Sequence, residues 1–117
     1  MAVKVVIEDT LWSLECKYRD ALYTVVDEYK QAGLNELSYI INSNMTFDEA
    51  KEKLHSVYEV YLGKLLGVDY MFNKMLDEET NKRLNFMRND KKAYWTNELK
   101  YAYGKHLIRL DGFYKNN

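Results

Sequence analysis

Apolar residues recur at intervals of three and four along two long stretches, 10–32 and 47–76, and no proline interrupts them or any other part of the 117 residues. Average usage would place about six prolines in a chain of this length. Proline removes a backbone donor and clashes with the preceding turn, so its absence permits helices of many turns without requiring them. The spacing is the positive evidence, because residues three and four apart share one helical face.

In the first stretch the face is Leu11, Leu14, Tyr18, Leu22, Val25 and Tyr29, with Ala21 and Ala32 beside it. Gly33 follows as the expected stop, since glycine accepts the left-handed conformation common at helix ends. Val3 and Ile7 extend the same face backwards, which starts the helix near residue 4. Because Val3, Val5 and Ile7 also alternate, a short strand is the competing reading there. Residues 34–43 read as a short helix or connector, and Asn42, Ser43 and Asn44 as a turn.

Thr46 and Glu49 fit a capping box, in which the hydroxyl accepts the amide three residues on. The face that follows, Ala50, Leu54, Tyr61, Leu65, Val68 and Phe72, stays in phase to residue 76, so one helix can span 47–76 through Gly63 and Gly67. A kink at Gly67 with Asp69 as a new cap is the alternative. Asp77-Glu78-Glu79-Thr80 marks another start, with acids at the positive helix end. Leu84, Met87, Trp95, Leu99, Ala102 and Tyr103 give the last segment its face. Asn89-Asp90 is a candidate interruption, and Asp111-Gly112 is a hairpin signal that competes with a helical ending. The expectation is an all-α protein, residues 1–117 forming a single helical domain. It is an antiparallel bundle of three to four helices, two of them long, with a strand or hairpin as the alternative at the termini.

Cys16 is alone and cannot form an internal disulfide, which fits a reducing compartment. The opening MAVKVVIEDT lacks the apolar run of a signal peptide, and no stretch approaches the ~20 apolar residues of a membrane span. The expected location is the cytoplasm of a bacterium or host cell, with no membrane partner. Thirteen lysines against four arginines, with ten asparagines and eleven tyrosines, suggest a low-GC source such as a low-GC bacterium or a phage.

Most catalytic templates fail on inventory. Five scattered glycines build no phosphate loop, and one cysteine with two histidines leaves few ligands for zinc. Glu52 and His55 match half of a di-iron motif, but Tyr103 stands three residues before His106 where a second glutamate would be needed. Cys16 lies mid-helix, far from an activating helix end. No enzyme, cofactor or metal is expected.

Surfaces carry the remaining signal. The first helix has a second apolar seam of Trp12, Cys16, Tyr23 and Val26, and a helix apolar on two sides is either central to its own bundle or in contact with another chain. In the last segment Tyr94, Asn97 and Tyr101 share a side, and tyrosine is enriched at binding surfaces. Gly63 and Gly67, four apart, admit a close second helix or simply face water. These features point to a small non-enzymatic protein that binds another protein through Trp12, Tyr23 and Val26 and through Tyr94, Asn97 and Tyr101, with a homodimer as one form. Size and composition suggest a regulatory, inhibitory or immunity-type accessory protein of a phage or mobile element.

The alternative is nucleic-acid binding. Although the whole chain has a formal charge of −1, residues 82–117 carry nine bases and three acids. There Lys91, Lys92, Lys100 and Arg109 would contact phosphates, with tyrosines stacking on bases.

Overall fold

A computed structural model describes the backbone of residues 2–116 and the side chains of 11–116. It contains three helices: α1 (Ala2–Ile41), α2 (Phe47–Met75) and α3 (Glu78–Lys115). Each packs against the other two. The helices run up, down and up: Tyr18 meets Asp69 of α2 and Tyr29 meets Tyr58, whereas along α3 Tyr18 meets Arg88 and Tyr29 meets His106. The result is a rod of 67 × 19 × 18 Å. Its length is close to the ~60 Å that a 40-residue helix spans at 1.5 Å per residue.

The local start signals work as their chemistry requires. The Thr46 hydroxyl accepts the Glu49 amide at 3.2 Å, and Asp77 accepts the Thr80 amide at 2.7 Å. One helix spans Phe47–Met75 through Gly63 and Gly67, as its apolar phase predicts. The expected stop at Gly33 does not act, since α1 runs through it and absorbs the 34–43 connector, and neither candidate interruption of α3, Asn89-Asp90 or Asp111-Gly112, breaks that helix. No glycine takes a positive φ and no strand forms among the described residues, so neither the left-handed stop nor the hairpin occurs. The backbone is helical from Ala2, while the side chains of Val3, Val5 and Ile7 lie outside the described residues.

Gly33 is kept for space. A Cβ built there would fall 2.2 Å from Cε1 and 2.4 Å from Nδ1 of the buried His106 ring. The glycine lets α1 and α3 close over an imidazole. Gly63 and Gly67 differ, because a Cβ at either meets no atom of the described residues within 4 Å beyond its own helical turn. Among the described residues no second helix approaches them.

Two apolar clusters fill the rod. Tyr18, Leu22, Tyr29, Leu65 and Leu99 centre one, and Leu37, Ile40, Leu54 and Leu110 centre the other near the α1–α2 turn. Burying each such side chain is worth roughly 1.5–3 kcal/mol relative to leaving it in water.

Between the helices sits Asp69, only 15% exposed. The Tyr18 hydroxyl donates to its Oδ1 at 2.7 Å. Arg88 Nε lies 3.3 Å from Oδ1 and Lys92 Nζ lies 3.4 Å from Oδ2. The Arg88 Nε approach is an ion pair without hydrogen-bond alignment, and the same guanidinium donates through Nη1 to Asn73 at 2.9 Å and to Asn81. Burial first, and then the bond to Asp69, push the Tyr18 hydroxyl above its ordinary pKa and hold it as a donor. Asp69 is thus an interhelical anchor, and the alternative in which it caps a new helix after a kink at Gly67 does not occur.

The two kinds of glycine give opposite expectations. Gly33→Ala should lower the free energy of unfolding by roughly 1–2 kcal/mol, since overpacking outweighs a helix-propensity gain of about 1 kcal/mol. Gly63→Ala should raise it by roughly 0.5–1 kcal/mol. Urea unfolding followed by circular dichroism distinguishes them, and equal effects at the two sites would refute the close packing at Gly33.

Candidate interaction face

The two surface seams read from the sequence meet on one side of the rod. Parallel α1 and α3 bring Tyr23 against Trp95, with ring centroids 5.5 Å apart and nearly perpendicular, and Tyr94 packs on the same indole at 4.9 Å. Edge-to-face rings at such distances attract through their quadrupoles. Trp12 is 69% exposed, Tyr23 52%, Tyr94 54% and Tyr101 62%, and Asn97 is also exposed. Val26 is 1% exposed and belongs to the core, so it is not available as a surface contact. The first helix is therefore apolar on two sides for two different reasons: Val26 turns inward, while Trp12 and Tyr23 stay in water.

Trp95 connects the seams, although periodicity alone places it in the core. Its ring is half-buried against the first cluster, and its indole N–H is buried with no acceptor among the described residues.

Further along the same face a groove runs between α1 and α3. Two cavities of about 280 Å³ each share Leu34 and Arg109. The nearer one is bordered by Lys30, Lys105, Arg109, Glu98 and Tyr101, with His106 in its wall. The farther one is apolar, with Leu37, Ile41 and Phe113. Lys105 lies over the Tyr101 ring at 4.6 Å, which couples the cationic groove to the aromatic patch.

His106 is 5% exposed, and its Nδ1 lies 3.2 Å from the Tyr29 hydroxyl. Burial, and secondarily the Arg109 charge, hold its pKa below the ordinary 6.5. Burial also pushes the Tyr29 hydroxyl up, with Tyr103 and Tyr58 adding to the effect. Sequence periodicity could have found His106, because it lies four residues after Ala102 and four before Leu110, both buried.

The four bases of the nucleic-acid alternative do not gather on one patch. Lys92 is paired with Asp69, Arg109 borders the groove, and Lys100 is exposed. At 3.6 residues per turn Lys91 and Lys92 point about 100° apart. His55, half of the di-iron match, is an exposed side chain whose Nε2 meets Glu59 at 2.6 Å and whose Nδ1 meets the Tyr103 hydroxyl at 3.1 Å. Among the described residues no three His, Cys, Asp or Glu side chains cluster as a metal site. No described helix is long and apolar enough to cross a membrane. Cys16 is a free, half-buried thiol on α1.

The chain matches no protein-family model, no curated protein and no solved structure.

Burial of His106 makes stability depend on pH. The unfolded ring takes a proton near its ordinary 6.5, while the folded ring resists it. The unfolded state then binds more protons, and stability falls as pH drops below about 6.5. Tyr29, Arg109, Lys30, Lys105 and Glu98 surround the ring or its cavity. Of these only Glu98 would welcome the added charge. Asp77, lowered by the Thr80 amide at its cap, loses its contribution only as pH falls below its ordinary 3.8. Thermal melts from pH 7.5 to 5 should show a falling Tm in the native chain and a flatter profile in His106→Gln. Parallel profiles would exclude His106 as the source.

Proposed function

We propose that this protein works by binding another protein through the α1–α3 face, with no catalysis of its own. The observation that carries the reading is that Tyr23 and Tyr94, both more than half exposed, meet on Trp95 between two neighbouring helices, with exposed Trp12 and Tyr101 further along the same helix sides. Large aromatic side chains held in water are the usual anchors of protein interfaces, because they bury area with few rotors and offer a polar tip. Trp95 and Tyr23 brace one another before any partner arrives, so little ordering remains to be done on binding. The small size and composition suit a regulatory, inhibitory or immunity-type accessory protein of a phage or mobile element.

A second copy of the chain is one such partner. Mass-resolved size exclusion decides that form: a homodimer through this face should appear as a dimer in the native chain and as a monomer in Trp12→Glu and Tyr23→Glu.

For a different protein partner, the immobilised chain is exposed to lysate of its source, with and without nuclease, and bound proteins are quantified. Tyr94→Ser and Trp12→Ser should each weaken retention of the same protein by about 30-fold, the scale of an anchor worth 2 kcal/mol. Retention that disappears with nuclease would instead favour nucleic acid. Retention unchanged in both variants would sink the aromatic face as the binding site.

A further inference from the structure

The groove between α1 and α3 has a straight apolar wall. Trp12, Tyr23 and Leu34 follow one another on α1 at intervals of eleven residues, Ile41 lies seven further on, and all four are exposed. Eleven residues and seven residues each bring a helix back to within about 20° of the same side, so the row holds its direction along α1. From Trp12 to Ile41 it extends about 44 Å at 1.5 Å per residue. On α3 the facing lip carries Tyr94 and Tyr101, also seven apart and exposed. Between the walls the rings of Tyr23 and Trp95 meet, and further along the groove deepens into the two cavities that share Leu34 and Arg109.

An occupant of this groove must satisfy its own backbone. Both walls are helices whose amides and carbonyls are bonded within their own turns, and no strand edge exists among the described residues, so an extended segment would find no main-chain partners. A helix arrives with its backbone already satisfied and offers side chains at three, four and seven, the periods of the walls. The farther cavity, bordered by Leu37, Ile41 and Phe113, suits an apolar side chain. The nearer one is bordered by Lys30, Lys105 and Arg109 against the single acid Glu98. That imbalance favours acids beside the occupant's apolar stripe. It disfavours a second copy laid in parallel register, which would set these cations against their own counterparts.

We infer that the α1–α3 groove seats an amphipathic helix of the partner protein, its apolar stripe lying along Trp12, Tyr23, Leu34 and Ile41 and its acidic flank beside Lys105 and Arg109. This rests on the protein-binding reading and specifies the partner's shape and charge. The docked helix would turn the three-helix rod into a four-helix bundle, in which each helix lies between two neighbours. Apolar contact along the row supplies affinity, and charge at the rim sets the direction and register of the incoming helix.

The probe is a three-heptad peptide with leucine at the two apolar positions, glutamate on both flanks and no aromatic residue. Both tryptophans of the chain, Trp12 and Trp95, lie along this groove, so their emission in the full-length chain reports occupancy at about 50 mM salt, where surface charges are weakly screened. A saturable change is expected. A proline at the centre of the peptide should weaken binding about 100-fold. Leu34→Gln should weaken it about tenfold, as should Lys105→Gln/Arg109→Gln, while Val60→Ser on the back of α2 should leave it within about twofold. No saturable change, equal binding of the proline or a scrambled peptide, or native-like binding by Leu34→Gln would overturn the inference. A lysine-flanked peptide that binds as tightly would overturn it as well. So would a native dimer that the peptide dissociates, since the groove would then belong to a second copy. If the peptide fails while Tyr94→Ser still loses its lysate partner, the helix inference falls and the protein-binding reading stands.

Discussion

A carboxylate drawn out of water between helices must be met by donors, and Asp69 meets them on both neighbours: Tyr18 from α1, Arg88 and Lys92 from α3. Apolar contact alone would not fix the axial position of three helices this long, because leucine against leucine tolerates sliding by a turn. A slide of one turn, about 5.4 Å, would leave Asp69 buried without its partners. Losing one partner of a buried pair commonly costs about 3–5 kcal/mol. The polar knot is therefore better understood as setting register than as adding net stability, a role buried polar groups are known to play. Everything along the rod inherits that register, including Tyr23 against Trp95 and Tyr29 against His106.

The second fixed point lies at the Gly33–His106 contact. Placing an imidazole inside the bundle requires one neighbour to give up its side chain, and α1 does so at Gly33. The ring is then held by Tyr29 on one nitrogen, and the surrounding aromatic rings, Tyr58, Tyr61 and Tyr103, close that side of the core. Asp69 and His106 sit at different levels of the rod, each linking α1 to α3 through a tyrosine hydroxyl. Between these two levels lie Tyr23, Tyr94 and Tyr101 of the α1–α3 face, with Trp12 beyond the Tyr18 level.

The apolar phases of all three helices were legible in the sequence, because each sustains a spacing of three and four that only a helix places on one side. Tyr18, Leu22, Leu54, Leu65, Leu99 and Ala102 are buried as that spacing requires. The helix ends were legible only where a side chain acts locally, at Thr46 and Asp77. Glycine misled, since Gly33 as a stop and Gly33 as a gap for His106 look alike until α3 is in place. The polar members of the core were hidden for a related reason. On α3, Leu84, Arg88, Lys92, Trp95, Leu99, Ala102, His106 and Leu110 keep one helical spacing, but reading hydrophobicity alone discards Arg88, Lys92 and His106. Their positions are explained by Asp69 and Tyr29, on other helices, which no local pattern reveals. The two seams were each visible on their own helix. That they adjoin depends on α1 and α3 lying side by side and parallel.

Two apolar surfaces among the described residues lie open, and they are not equivalent. On the back of α2, Val60, Leu66, Tyr70 and Met71 surround Gly63 and Gly67 with open space above them. Lys74 lies over the Tyr70 ring at 5.1 Å, but the other residues named there offer van der Waals contact and little direction. On the α1–α3 side, aromatic rings brace one another and a cationic rim borders a cavity. Directional groups distinguish one partner from another, whereas apolar area alone does not. Trp12, mostly exposed on the same side of α1 as Tyr23, contributes little to the bundle's own core, and the bundle could fold with a polar residue in its place. The Asp69 knot and the Gly33 gap hold that surface in a defined shape, which is the condition for it to recognise anything.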